Sequence, residues 1–319
     1  MSDPLGPYDG RVPLVASVDT PAPPWAWLPD ESTLRPLTSD ARWGNFPGTL
    51  TDGGRHYVFA GSDRPGGDTP GPLAGNRVYV RSFATAEAHL VDFTSRPGAR
   101  GVLMPAAAPD GTGIAIAELW IDETETNPYD TQRTSLWIGS TAEGTGREVL
   151  TLHGGPFHAS DDGTPLQWSP DGSLIALSTS GIPGRYSGGI VTIVDAATGA
   201  VVRRCESCSL AGSVSWSPDG TRLLVTDATN AISDLDVRTG LVAPTAGWPE
   251  RLELYGGTDE TRPLGYADDT HLLLAHHRGR HLTISVADPT NGTLHPRLKL
   301  GLARHIYPVL ARMPDGFWT

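Results

Sequence analysis

The sequence predicts an all-β fold, a single six-bladed β-propeller of four-stranded antiparallel blades filling one domain over residues 1–319. Three observations predict it. A strand–turn–strand unit recurs along the chain. Glycine and proline punctuate the whole sequence. And the two termini each carry part of one blade.

The unit is clearest in Leu166-Gln167-Trp168-Ser169-Pro170-Asp171-Gly172-Ser173-Leu174-Ile175-Ala176-Leu177-Ser178 and in Val214-Ser215-Trp216-Ser217-Pro218-Asp219-Gly220-Thr221-Arg222-Leu223-Leu224-Val225-Thr226. Ser-Pro-Asp-Gly is type I turn chemistry: proline presets φ, aspartate accepts from backbone N–H groups, and glycine suits the fourth position. The aliphatic and β-branched run that follows has the composition of a buried strand. Weaker copies surround Asp52, Asp110, Asp268 and Asp315, so the unit returns at intervals of roughly 50–60 residues, the period of a propeller blade. Gly 38 and Pro 28 are spread along the chain as turn punctuation rather than gathered in a disordered tract.

Taken in order, the segments after each turn complete the blades. Arg77–Arg81, Ser135–Gly139, Ile190–Asp195 and Leu282–Val286 read as third strands, and Ala200–Arg203, after the turn Ala197-Thr198-Gly199, as a fourth. The sixth turn is followed only by Phe317, Trp318 and Thr319. Its missing strands stand at the other end of the chain, in Val12–Ser17, Pro24–Leu28 and Thr33–Thr38. Residues 11–38 and 306–319 therefore share one blade, a closure that leaves no open inner edge.

The Trp-Ser-Pro-Asp-Gly repeats resemble those of TolB-like, WD-related propellers, and are similar to the propellers that cover prolyl-oligopeptidase-type enzymes. The resemblance spans nearly the whole chain and implies the propeller. It implies little about activity, because this scaffold carries binding, signalling and enzymatic roles alike. The Gly-His and Trp-Asp marks of true WD repeats are absent.

Charge narrows the partners. A net charge of −12 without a basic stripe argues against nucleic acid and against an anionic membrane surface. The single lysine, Lys299, among many arginines fits a GC-rich genome. No apolar run is long enough to span a membrane, and the N-terminus, with Asp3, Pro4, Pro7 and Asp9, lacks the apolar core of a signal peptide, so a cytoplasmic location is expected. The only cysteines, Cys205 and Cys208, are open to three readings: two unreactive thiols, the favoured one; a local disulfide; or a redox or metal pair.

Turns between the first and second strands of a blade lie on one face of the disc. The long segments all fall on the other, where function is expected to concentrate. In His153-Gly154-Gly155-Pro156-Phe157-His158-Ala159-Ser160-Asp161-Asp162, four residues resemble a segment near the oxyanion hole of prolyl-oligopeptidase-type hydrolases, but the chain has no Gly-x-Ser-x-Gly elbow. His153, His158 and Asp161 have metal-ligand chemistry, but loop spacing does not make them converge; no metal and no cofactor is expected. The acidic stretch Asp122–Asp130 lacks a calcium-loop pattern. Arg278 and Arg280, beside His276, His277 and His281, could clamp a carboxylate. Trp120, Trp137, Trp168 and Trp216 fall on strand positions and are expected in the core, whereas Trp43 and Trp248 fall in loops.

Connections between blades lead into the innermost strands, so their residues are expected to ring the central channel. The candidate ligand-binding residues are Trp43, His153, His158, Asp161, Asp259, Arg262, Arg280, Arg304, His305 and Tyr307. The sequence thus predicts a binding scaffold for a protein partner or a small polar ligand. The alternative is a lyase, hydrolase or cyclase using His and Asp/Glu acid–base chemistry at the channel mouth, with or without a metal.

Overall fold

Strands at the middle of each blade are buried along nearly their whole length, while outer strands such as Val242–Pro244 are exposed. A computed structural model describes residues 5–18, 24–30, 33–37, 48–61, 77–93, 99–122, 124, 131–142, 146–156, 164–180, 189–227, 231–245, 259–278, 281–288, 290–301, 306–314 and 316–318. These form six four-stranded antiparallel sheets. Blade 1 holds β1 (Leu14–Val18), β2 (Trp25–Leu28) and β3 (Thr33–Pro36), and blade 2 holds β4 (Thr49–Leu50), β5 (His56–Gly61), β6 (Arg77–Ser82) and β7 (Ala88–Val91). Blade 3 is β8 (Ala99–Ala107), β9 (Gly113–Ile121), β10 (Gln132–Ser140) and β11 (Arg147–His153). Blade 4 is β12 (Leu166–Trp168), β13 (Leu174–Ser180), β14 (Gly189–Asp195) and β15 (Val201–Glu206). Blade 5 is β16 (Cys208–Leu210), β17 (Arg222–Asp227), β18 (Ile232–Asp236) and β19 (Val242–Pro244). Blade 6 is β20 (Asp259–Tyr266), β21 (Leu272–Arg278), β22 (His281–Ala287) and β23 (Leu294–Gly301), and the last strand, β24 (Ile306–Leu310), returns to blade 1.

The closure is as the sequence predicts. β24 pairs with β1 in the register Leu14↔Leu310 to Val18↔Ile306 and supplies the inner strand of blade 1. Phe317 and Trp318 add no strand; Trp318 is buried and stacks on Trp27 at 6.3 Å between ring centroids. An N-terminal strap that leads into β1 locks this blade to the next. The Leu5 and Tyr8 N–H groups donate to the carbonyls of Pro36 in blade 1 and Phe83 in blade 2, and Val12 N–H donates to Gly54. Arg81, buried, donates to the Leu5 carbonyl at 2.6 Å.

The turns obey their sequence. Gly172 and Gly220 N–H donate back to the Ser169 and Ser217 carbonyls at 2.9 Å, and both glycines sit at φ 71°, where a Cβ would be strained. Asp171 accepts from the Ser169 and Ser173 hydroxyls, and Asp219 from those of Ser217 and Thr221. The outer hairpins repeat a second device: Asp195, Asp236 and Asp288 each accept from the N–H and hydroxyl of a following threonine. All these turns lie on one face.

Cys205 and Cys208 are bonded to each other, so of the three readings the local disulfide is the one seen, and the favoured pair of free thiols is not. The bridge spans the one-residue crossover at Ser207 from blade 4 to blade 5, where the tight crossover brings the two side chains together in the apolar layer between the blades. Of the four strand tryptophans only Trp216 is fully buried. Trp120, Trp137 and Trp168 are half-buried, each with its indole N–H bonded: to Ser135 at 3.0 Å, Glu118 at 3.1 Å and the Ala106 carbonyl at 3.0 Å. No helix long and apolar enough to cross a membrane occurs among the described residues.

Candidate functional site

Inner strands carry the axis, and polar side chains stitch it together. Gln167 of β12 donates to the Gly212 carbonyl at 2.8 Å and to Ser215 Oγ at 3.1 Å, while its own carbonyl accepts from Ser215 N–H at 2.8 Å. Blade 5 in turn bonds to blade 6 through Val214 and Leu264, at 2.9 Å, and through Tyr266 and Val214, at 3.0 Å. Ser213 Oγ accepts from Leu310 N–H at 3.0 Å, and Arg312 Nη2 donates to the Trp216 carbonyl at 2.8 Å. Among the described residues, a cavity of about 40 Å³ is lined by Thr49, Gln167, Ser213, Leu310 and Arg312 among others, room for a few water molecules.

The candidate residues divide by place. His153 ends β11, the outermost strand of blade 3, and is exposed. It therefore lies on the perimeter and not at the channel mouth expected for it, because β11 runs on to residue 153 before the chain turns inward. Near it, Asp122 pairs with Arg133 at 3.3 Å. The Thr124 hydroxyl and N–H, assisted by Arg133 and His153, hold the Asp122 carboxyl below the usual carboxylate range.

Arg262 lies in β20, the inner strand of blade 6, and is buried. Its neighbour Thr261 bonds His276 Nδ1 at 2.8 Å, and His277 beside it is buried too. Burial, and then the proximity of His277, pushes the His276 pKa down, so its imidazole is neutral at pH 7. Asp259 opens β20 opposite Arg278. Tyr307 lies in β24 opposite Ser17. Trp43, His158, Asp161, Arg280, Arg304 and His305 lie outside the described residues. The structure thus groups Asp259 and Arg262 on one strand and sets His153 three blades away. Among the described residues no group of three or more His, Cys, Asp or Glu side chains is placed to hold a metal ion.

Two features escaped the sequence reading. Glu118 is a fully buried carboxylate that accepts from the Trp137 indole. An exposed strand position would have looked the same, because only the blade packed over it reveals the burial. Arg312 reaches from blade 1 to blade 5 across the axis, which its place in a turn copy did not signal.

TolB from Acinetobacter baumannii superposes with a TM-score of 0.56 at 16% identity, over 95% of this chain and 67% of that one. The fold is that of a TolB-like six-bladed propeller. The propeller domain of Cps50 (Swd1) from Myceliophteria thermophila matches with a TM-score of 0.50 at 12% identity, over 93% of this chain and 89% of that one. A prolyl endopeptidase matches with a TM-score of 0.52 at 13% identity, over 95% of this chain but 42% of its own length. At these identities the likeness is one of fold. No protein-family model matches the chain. No curated protein matches it in sequence.

Proposed function

We propose that the protein is a binding scaffold that engages a protein partner or a small polar ligand through its loop-rich face. The observation that carries this reading is the packed axis. Among the described residues, the Gln167–Ser215 stitch and Arg312 leave about 40 Å³ at the short-turn end of the axis, too little for an organic substrate to enter from that side. Binding then falls to the outer surfaces. The strand ends joined by the long segments 38–47, 62–76, 157–163, 181–188 and 246–258 share one face. A net charge of −12 favours a partner other than nucleic acid or an anionic membrane.

The test is cross-linking of the intact protein in its native extract, with the cross-linked positions mapped by mass spectrometry. The reading expects a recurrent partner joined through the loop-rich segments, and its loss in a variant carrying alanine at His153, His158, Arg304 and His305. Cross-links confined to the Pro-Asp-Gly turns would put the surface on the wrong face.

One observation favours the enzymatic alternative. His276 is neutral at pH 7, is half-buried and is held through Nδ1 by Thr261, which is the state of a positioned base. Under that reading His276→Gln abolishes turnover while leaving binding intact.

A further inference from the structure

The seams between blades repeat one device on the short-turn face. The aromatic residue before a turn leans on the residue that follows the turn of the preceding blade. Three consecutive seams fill that second position differently. Between blades 4 and 5 it is Leu174, which packs against the apolar cluster containing the fully buried Trp216. Between blades 5 and 6 it is Arg222, whose guanidinium carbon lies 5.3 Å above the Tyr266 ring. Arg222 also donates to the Asp269 carbonyl at 2.8 Å and stands 3.8 Å from Asp234. Between blades 3 and 4 it is Gly113, with no side chain at all.

The missing side chain leaves an open cleft of about 340 Å³, lined by Pro109, Asp110, Gly113, Trp168, Pro170 and Asp171 among others. A Cβ at position 113 would stand 3.4 Å from the six-membered ring of Trp168, so the absent group would have covered this indole. The ring is fixed, because its N–H is bonded to the Ala106 carbonyl at 3.0 Å.

We propose that this cleft binds a guanidinium group on an alkyl stem, seated on the Trp168 ring between Asp110 and Asp171. The molecule supplies its own precedent in Arg222 over Tyr266, at the equivalent position two seams on. Trp is the best aromatic partner for a cation, and guanidinium stacks on such a ring with less loss of hydration than ammonium. Pro109, Pro170 and the bare Gly113 backbone take the methylenes. In that precedent the guanidinium is received by a carbonyl of the next blade's turn, at Asp269, and the corresponding turn here is the one that carries Asp171. Both flanking carboxylates are ionised at neutral pH. The Thr112 N–H and hydroxyl hold Asp110 low. In Asp171 burial opposes ionisation, but bonds from Ser169 and Ser173 outweigh it. The site is on the face opposite the loop-rich rim, so it stands or falls independently of the function proposed above.

The test is calorimetric titration of the full chain with agmatine, with acetyl-Gly-Arg-Gly-amide and, as comparator, with butylammonium. The expected result is a dissociation constant of about 1 mM or tighter for at least one guanidinium probe, and weaker binding of butylammonium. Tighter binding of the peptide makes the natural source a polypeptide arginine; tighter binding of agmatine makes it a small guanidine. Gly113→Leu, which closes the cleft as Leu174 does, should weaken binding by about tenfold or more, and Gly113→Arg should abolish it by supplying the occupant in place. Circular dichroism checks that each variant folds. If neither does, the pair Asp110→Asn and Asp171→Asn decides, with a loss of similar size expected. No binding of either guanidinium probe at about 10 mM, or affinity unchanged in the folded variants, overturns the proposal.

Discussion

The seam between blades 3 and 4 and the seam between blades 4 and 5 share the Trp-Ser-Pro-Asp-Gly turn on one side and part company at the residue after the turn on the other. Both place Trp before Ser-Pro-Asp-Gly, and both turns are held by the same aspartate bonds. Yet Trp216 is fully buried and Trp168 is half-buried. The difference is set in the preceding blade, by Leu174 in one case and Gly113 in the other. A repeat sequence therefore fixes the frame of each seam, while the single residue after the turn decides whether the seam is core or cleft.

The comparison requires a closed disc, and removing closure should have the largest effect. Deleting residues 307–319 takes away most of β24, the buried Val309, Leu310, Met313 and Trp318, and the axial bond from Arg312. Each such side chain contributes about 1.5–3 kcal/mol, so together they rival a typical total stability of about 5–15 kcal/mol. The truncated chain should lose its cooperative thermal transition; an unchanged melting temperature would remove the basis for treating the seams as parts of one ring.

Converting the closed seam into the open kind comes next. Leu174→Ala should destabilise by about 2–3 kcal/mol in chemical denaturation, the low end for leucine because the side chain is only half-buried. The reverse change, Gly113→Leu, should shift stability by less than about 1.5 kcal/mol. The new Cβ would lie 3.0 Å from Ala108 Cβ, and that small strain offsets the covering of Trp168. If Gly113→Leu destabilised more than Leu174→Ala, position 113 would belong to a packed core and the comparison would fail.

A smaller effect, shared by both seams, is acid lability. Hydrogen bonds hold Asp110, Asp171, Asp219 and Asp268 below the usual carboxylate pKa, in each against the opposing effect of burial, which is strongest in the last three. Groups whose folded pKa is depressed stabilise the fold above their unfolded pKa, and this is lost as pH falls through the folded value. The melting temperature should therefore decline gently below about pH 6.5, where the half-buried His276 protonates more readily in the unfolded chain, and fall more steeply below about pH 4. Asp171→Asn should flatten part of that fall, and an identical acid limb in this variant would deny the turn aspartates their role.

Most of the frame was legible in the sequence because it is local. Pro-Asp-Gly turns and alternating strands carry their own conformational preferences, and six turns followed by five complete blades imply closure from both termini. What was not legible depends on which residues become neighbours across a seam. Trp168 and Trp216 read alike as core, since the residues that distinguish them stand about 50 positions earlier in the chain, in another blade. The part of the strap formed by Leu5 and Tyr8 has no period to read, because its partners Pro36 and Phe83 belong to two blades. His153 was placed at the channel because the length of β11 could not be told to within the two or three residues that matter. Asp259 and Arg262, expected in the connection between blades 5 and 6, stand instead in the inner strand β20, which begins earlier than its turn signals showed.

The most direct measurement of the contrast between the seams is fluorine NMR of the protein labelled with 5-fluorotryptophan, with the resonances of positions 168 and 216 assigned from Trp168→Phe and Trp216→Phe. A soluble paramagnetic chelate should broaden the Trp168 resonance and leave that of Trp216 sharp, and Gly113→Leu should protect Trp168 to the same degree as Trp216. Equal protection of the two in the unsubstituted protein, or broadening of Trp216 before Trp168, would contradict the account.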